Sequence, residues 1–338
     1  MRTGIFFVLF CLCLAVPVQG QFLESYDFFG NSFEDTDNGQ SELADLIGAV
    51  NLLYDSEDYQ KALEKIEQIL RSDPYNDAGY IKKALILIKL HRFEEALQTA
   101  DVILNKNPDD ADGWYIKASV LTNLEQYDTA LAAYDTAVKY SSSPEYIYSD
   151  KGMLLFNLER YGHAIEVFNK ALEINPKLPE TLEYLAVSYH RLGKFTEALA
   201  AVDMLIAENP DDCHAWYNKA KILDDKNCAD EALIACNTLL EIAPDFAAGW
   251  SLKGILLNKL NFRKESLEAA TKAVELEPQQ DFLWYNRACV YAIAGQKENA
   301  LDDLRRAINI NPSIKNSAKN DDDFFQLWDD TDFIKLTE

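Results

Sequence analysis

Between residues 43 and 314 apolar and polar positions alternate with helical spacing, and the whole pattern returns every 34 residues. Prolines stand at 74, 108, 176, 210, 244, 278 and 312, every gap being 34 or 68, and the missing member falls at Ser142, two residues before Pro144. Setting each proline as position 32 divides the stretch into eight units: 43–76, 77–110, 111–144, 145–178, 179–212, 213–246, 247–280 and 281–314. Position 8 is small or short throughout (Val50, Ala84, Ala118, Gly152, Ala186, Ala220, Gly254, Ala288), and so is position 20 (Ala62, Ala96, Ala130, Ala164, Ala198, Ala232, Ser266, Ala300). Position 4 is large (Leu46, Tyr80, Trp114, Tyr148, Leu182, Trp216, Trp250, Trp284), and position 11 is Leu or Tyr. Apolar residues at 4, 8 and 11, then at 20, 24, 27 and 28, predict two amphipathic helices per unit. The small residues mark close helix crossings, and the proline ends the second helix because it cannot continue the hydrogen-bond ladder.

These residues resemble the tetratricopeptide repeat family over about four-fifths of the chain. The resemblance implies an all-α fold, a right-handed superhelical solenoid of helix-turn-helix repeats. Departures from the family pattern cluster late. Position 17 is aromatic from Tyr59 to Phe195 but then becomes Ala229, Arg263 and Lys297, which predicts weaker contact between the two helices of the last three units. Position 7 carries Lys83, Lys117, Lys151, Lys219, Lys253 and Arg287 where leucine is commoner. Two readings fit this row: a charge ladder that grips a ligand, or stems laid over a helix interface with their heads in water. The segment 315–338, with Phe324, Leu327, Trp328, Phe333 and Leu336, resembles the helical cap that closes many prokaryotic arrays of this kind; such a cap covers the apolar end of the last repeat.

The first twenty residues follow a different pattern. Arg2 precedes a twelve-residue apolar run from Ile5 to Val16, Pro17 breaks it, and Val18 and Gly20 put small residues at −3 and −1 of a cut before Gln21. This is the layout of a secretory signal peptide, so residues 1–20 are expected to be removed and the chain to be secreted or held in the cell envelope. Residues 21–42 form an acidic leader with Phe22, Tyr26, Phe28, Phe29 and Phe33 interleaved. It reads as a flexible tether or as a segment whose rings dock on repeat one.

Charge and composition narrow the partners. The 338-residue chain has 32 Lys plus Arg against 56 Asp plus Glu, a formal net charge of −24. Nucleic acid and anionic membrane surfaces would be repelled. The hydrophobic share of 48% is enough for a sizeable core. Beyond the signal segment the cysteines are Cys213, Cys228, Cys236 and Cys289, with no C-x-x-C pair, and they are expected to be free apolar fillers. With four histidines in all, neither a metal centre nor a cofactor is expected.

By the same resemblance, first helices line a concave groove, and positions 2, 5, 9, 12 and 13 point into it. The groove candidates for a protein or peptide ligand are Tyr115, Ser119, Tyr146, Met153, Phe156, Asn157, His190, Arg191, Tyr217, Lys221 and Tyr285, together with Asp112, Glu183 and Asp224. Rings supply contact area and polar groups set register. The carboxylate clamp of chaperone-binding arrays is absent, since position 5 never carries Lys and Asn218 and Asn286 stand alone at position 6. No phosphate-binding glycine loop, G-x-S-x-G or H-E-x-x-H occurs, and only 22 and 24 residues flank the repeats after the signal segment. The sequence therefore predicts a non-catalytic binding scaffold. The alternative is a chaperone-like or assembly cofactor for a cell-envelope or secretion complex.

Overall fold

Each 34-residue period folds as a helix, a three-residue turn and a second helix. A computed structural model describes residues 39–338; residues 1–20, read above as a signal segment, and the leader up to residue 38 lie outside the described residues. First helices run Gly39–Asp55, Asp77–Lys89, Ala111–Asn123, Glu145–Asn157, Pro179–Arg191, Cys213–Asp225, Ala247–Lys259 and Asp281–Ile293. Second helices run Tyr59–Ser72, Phe93–Lys106, Tyr127–Tyr140, Tyr161–Ile174, Phe195–Glu208, Ala229–Ile242, Arg263–Leu276 and Lys297–Ile310. The described residues contain no strand. They divide into two compact units, residues 39–188 and 189–338.

Local chemistry sets the helix ends. Asn76, Asp110 and Asp212 cap first helices, accepting from the N–H of Gly79 at 2.7 Å, Gly113 at 2.7 Å and His214 at 2.9 Å. Each first helix ends with position 15 in the left-handed region: Glu57, His91, Glu125, Glu159, Gly193, Asn227, Asn261 and Gly295, with φ from 55° to 71°. In repeat two the Arg92 N–H reaches Leu87 C=O at 2.8 Å and the His91 N–H reaches Ile88 C=O at 2.9 Å, which satisfies the carbonyls of the last turn.

Where position 4 is tryptophan, its ring fastens the repeat to the turn before it. The indole N–H groups of Trp114, Trp216, Trp250 and Trp284 donate to the carbonyls of Pro108, Pro210, Pro244 and Pro278, all at 2.8 Å. The cation at position 7 lies over the same ring: Lys117, Lys219 and Lys253 sit 5.2–5.5 Å from the indole centroids, and Arg287 sits at 4.9 Å. Its charge then reaches an acid at position 25 of the preceding repeat: Lys83 to Glu67 at 3.1 Å, Lys117 to Asp101 at 2.8 Å, Lys151 to Asp135, and Lys219 to Asp203 at 2.7 Å. Arg287, which has Thr271 at the equivalent place, turns instead to Asp303 of its own repeat at 2.6 Å. The row thus fastens neighbouring helices: its stems lie over the rings, and five of its six heads pair with carboxylates, the lysines at the surface, while Lys253 has Asn237 at the equivalent place.

In residues 39–188 a cluster runs from Ile47 through Ile66, Ile86, Ile103, Tyr134 and Leu154. In residues 189–338 one cluster joins repeats six and seven and another joins repeat eight to the tail. The weaker contact expected in the last three repeats is not found. In repeat seven, where the ring at position 17 is missing, the backbones approach instead: the Ser266 hydroxyl donates to Gly254 C=O at 2.7 Å, and a Cβ on Gly254 would lie 3.1 Å from Ser266 O. The four cysteines of the described residues are free, but only Cys236 and Cys289 are buried; Cys213 and Cys228 are partly exposed, so the filler role holds for two of them. The tail is not one helix. Two short α-helices, Ile314–Lys319 and Thr331–Thr337, flank a 3-10 turn, Asp322–Leu327, and place buried Phe324, Leu327 and Phe333 in the cluster of repeat eight.

Candidate functional site

First helices present their positions 2, 5, 9, 12 and 13 on one side, and burial divides this set. In residues 39–188, position 5 is buried in repeats one to four, and Glu183 in repeat five stays half-buried. Tyr115 is fully buried, its hydroxyl donates to Asp150, and its ring meets Tyr134 edge-on at 6.0 Å. Ser119 and Met153, both at position 9, are buried as well. Tyr146 at position 2 and Phe156 at position 12 remain half-buried, and Asn157 at position 13 is exposed. Phe156 meets Tyr184 at 5.1 Å and Tyr161 at 5.3 Å, both edge-on, so its exposed edge is the rim of a three-ring cluster. Burial, helped by Glu180, Glu183 and Asp150, pushes the Tyr184 hydroxyl up to about 12, and it stays protonated at any physiological pH. Asp112 at position 2 is half-buried; burial, then the charge of Asp110, pushes its carboxyl up to about 6.

In residues 189–338 the same division holds. Tyr217 and Tyr285 at position 5 and Lys221 at position 9 are buried, the His190 side chain is largely covered, and Arg191 is exposed. Tyr217 packs on Phe246 at 5.5 Å, and Tyr285 donates to Asp321 at 2.6 Å. Lys221 and His190 converge on Asp225: Lys221 Nζ lies 2.9 Å from its Oδ1 and His190 Nε2 lies 2.8 Å from its Oδ2. Burial alone would raise the Asp225 carboxyl, but the His190 hydrogen bond and the Lys221 charge hold it down at about 2. Asp224, beside it, is buried and takes Lys259 at 2.5 Å.

Six of the eleven groove candidates are thus removed from an accessible face: Tyr115, Ser119, Met153, Tyr217, Lys221 and Tyr285. The reason is a recurring spacing. Tyr115–Asp150, His190–Asp225, Asp224–Lys259 and Ser251–Asn286 are each 35 residues apart, one period plus one. A side chain at position 5 or 12 therefore meets position 6 or 13 of the next first helix, and these contacts close the inner layer. What stays accessible is Tyr146, Phe156 and Asn157 in residues 39–188, and Arg191 in residues 189–338, while the His190 side chain is only 9% exposed. Sequence reasoning missed Asp150, Asp225, Lys259 and Asp321, which hold this layer. A hydroxyl, His or acid followed 35 residues later by its complement was the available signal.

Profiles of the family described as "Tetratricopeptide repeat" match residues 53–120, 185–245 and 282–314. A profile described as "Anaphase-promoting complex, cyclosome, subunit 3" matches residues 123–205. Among solved structures, the C-terminal part of a TPR repeat-containing protein from Cytophaga hutchinsonii matches with a TM-score of 0.57 at 15% identity, over 71% of this chain and 98% of that one. A tetratricopeptide repeat protein from Parabacteroides merdae matches at 0.50 and 20% identity, over 79% and 98%. The APC/C hetero-tetramer Cut9–Hcn1 matches at 0.52 and 15% identity, over 83% and 55%. No curated protein matches the sequence. Hairpins of one period, tied turn to ring and helix to helix, define an all-α repeat array. The chain is a tetratricopeptide repeat protein.

Proposed function

We propose that this protein is a non-catalytic interaction scaffold that holds a protein or peptide segment on the accessible part of its first-helix face. The observation that carries this reading is the rim at Phe156: a half-buried ring braced by Tyr161 and Tyr184, with the exposed Asn157 amide next to it and Tyr146 on the same helix. A rigid aromatic edge beside a hydrogen-bonding amide suits an extended chain, because the ring loses little entropy on contact and the amide sets register. The excess of acids favours a partner with positive charge facing this array. We further propose export, with cleavage before Gln21. The apolar run Ile5–Val16 and the Val18-Gln19-Gly20 boundary support it, and an intact mass beginning at Gln21 is the expected result.

Affinity capture with the full chain tests the scaffold reading. One partner retained in stoichiometric amount, and lost by a chain carrying Phe156→Ser and Asn157→Arg, is the expected result. Retention of the same partner by that variant would overturn the assigned face, and a large set of unfolded clients would favour a chaperone.

A further inference from the structure

The C-terminal cap is joined to repeat eight by a cluster of acids and proton donors. Tyr285 and Cys289, on the helix Asp281–Ile293, face Asp321 and Asp323, which begin the 3-10 turn. Asp321 accepts from the Tyr285 hydroxyl at 2.6 Å, from the Asp323 backbone N–H at 3.0 Å and from the Cys289 thiol at 4.0 Å. Its charge is therefore well served by donors. Asp323 is served less well: the Cys289 thiol is its one side-chain donor, and its Oδ2 is buried and accepts no hydrogen bond. The sulfur of Cys289 and one oxygen from each carboxylate all lie within 4.8 Å of one another. Asp322 adds an exposed negative charge beside them, and Lys259, the cation that acts on Asp323, is already engaged by Asp224 at 2.5 Å. Two ionised carboxylates at this separation in a buried site repel each other, with little water to screen them.

We propose that Asp321 and Asp323 form a proton-dependent latch, which holds the cap on repeat eight while Asp323 is protonated and releases it when that proton is lost. The stakes are high at this joint because Phe324 is fully buried against Tyr285, with ring centroids 5.6 Å apart, and against Phe333 at 5.7 Å. Release of the cap uncovers these rings together with Tyr285 and Cys289, an apolar end of the kind a stacked array must cover. Burial also raises the Asp321 carboxyl, against the pull of its hydrogen bonds from Tyr285 and the Asp323 backbone, so the two acids share the proton as a pair. Burial, reinforced by the acids, raises both the Tyr285 hydroxyl and the Cys289 thiol, so each keeps its proton through the neutral range. Burial, then the charge of Asp321, pushes the Asp323 carboxyl up to about 7. The docked carboxyl thus lies above that of a free tail, roughly 4. Docking is strongest below that value and weakens as pH rises through about 7.

Hydrogen exchange on the full chain at pH 5 and pH 8, corrected for the intrinsic chemical rate, tests the latch. Peptides covering Phe324–Phe333 should exchange faster at pH 8 by up to about a hundredfold, while Ile147–Leu155 in repeat four should not change. Asp323→Asn keeps the shape and cannot ionise, so it should abolish the difference. Equal corrected rates at both pH values in the wild type, or an undiminished difference in the Asn variant, would overturn the proposal. Infrared spectra of a chain carrying Asp112→Asn, which removes the other carboxyl raised to about 6, decide the matter if the Asp323 variant fails to fold. A protonated-carboxyl band that remains at pH 6 and titrates away near 7 supports the latch, and its absence at pH 6 overturns it. Added Zn²⁺ that tightens the cap at pH 8 would make the cluster a cation site and overturn the proton reading as well.

Discussion

Trp216 donates its indole N–H to the carbonyl of Pro210 across 2.8 Å, binding the start of one repeat to the turn that closes the previous one. Proline at position 32 leaves a carbonyl in the turn, and the ring at position 4 arrives six residues later to accept the role of donor. Trp216→Phe retains most of the apolar area but loses this bond and the better partner for Lys219, 5.2 Å from the ring. The expected cost is about 1 kcal/mol, read as a lower urea midpoint with unchanged slope.

Glycines at two places of repeat four should behave oppositely. A Cβ at Gly152 would collide with the ring of Phe168, which is fully buried, whereas a Cβ at Gly162 meets nothing within 4 Å. Gly152→Ala should destabilise by about 1–3 kcal/mol. Gly162→Ala, exposed in the first turn of a helix, should stabilise by up to about 0.5 kcal/mol. Thermal or urea denaturation of the pair reads both signs.

Much of this architecture was legible in the sequence. The 34-residue period, the small residues at positions 8 and 20 and the closing proline are properties of residue type, and each is tied to a helix crossing or a helix end. Position 15 was not legible. Its left-handed backbone occurs eight times, but the residues there are Glu, His, Asn and Gly, and no single type announces it. The burial of Tyr115, Tyr217 and Tyr285 was hidden for a different reason: a tyrosine on an inward position looks like a binding residue until the partner of its hydroxyl, one period further on, is known.

That hidden turn makes its own test. Glu125 holds φ at 59°, a conformation that burdens a residue with a Cβ. Glu125→Gly should stabilise the protein by roughly 0.5–1 kcal/mol, once the greater freedom of glycine in the unfolded chain is set against the relief of strain. Gly193→Ala, at φ 70°, should destabilise by a similar amount. Equilibrium denaturation of both variants checks the prediction.

Asp225 responds to acid in the opposite sense to the cap. Its carboxyl is held at about 2, below its ordinary value near 3.8, so its pairing with His190 and Lys221 stabilises the fold above that ordinary value and is lost as pH falls towards 2. Asp225→Asn should therefore be clearly less stable than wild type at pH 6, and the gap should close as pH falls from 4 to 2. Parallel urea titrations across that range are the check.

The scaffold account rests most directly on which side of a repeat meets the partner. A photo-crosslinking residue placed at Asn157, on the first helix of repeat four, or at Ile174, exposed on its second helix, asks that question within one hairpin. The account predicts a single crosslinked partner from position 157 and none from position 174. Capture from 174 but not from 157, or from neither, would contradict it.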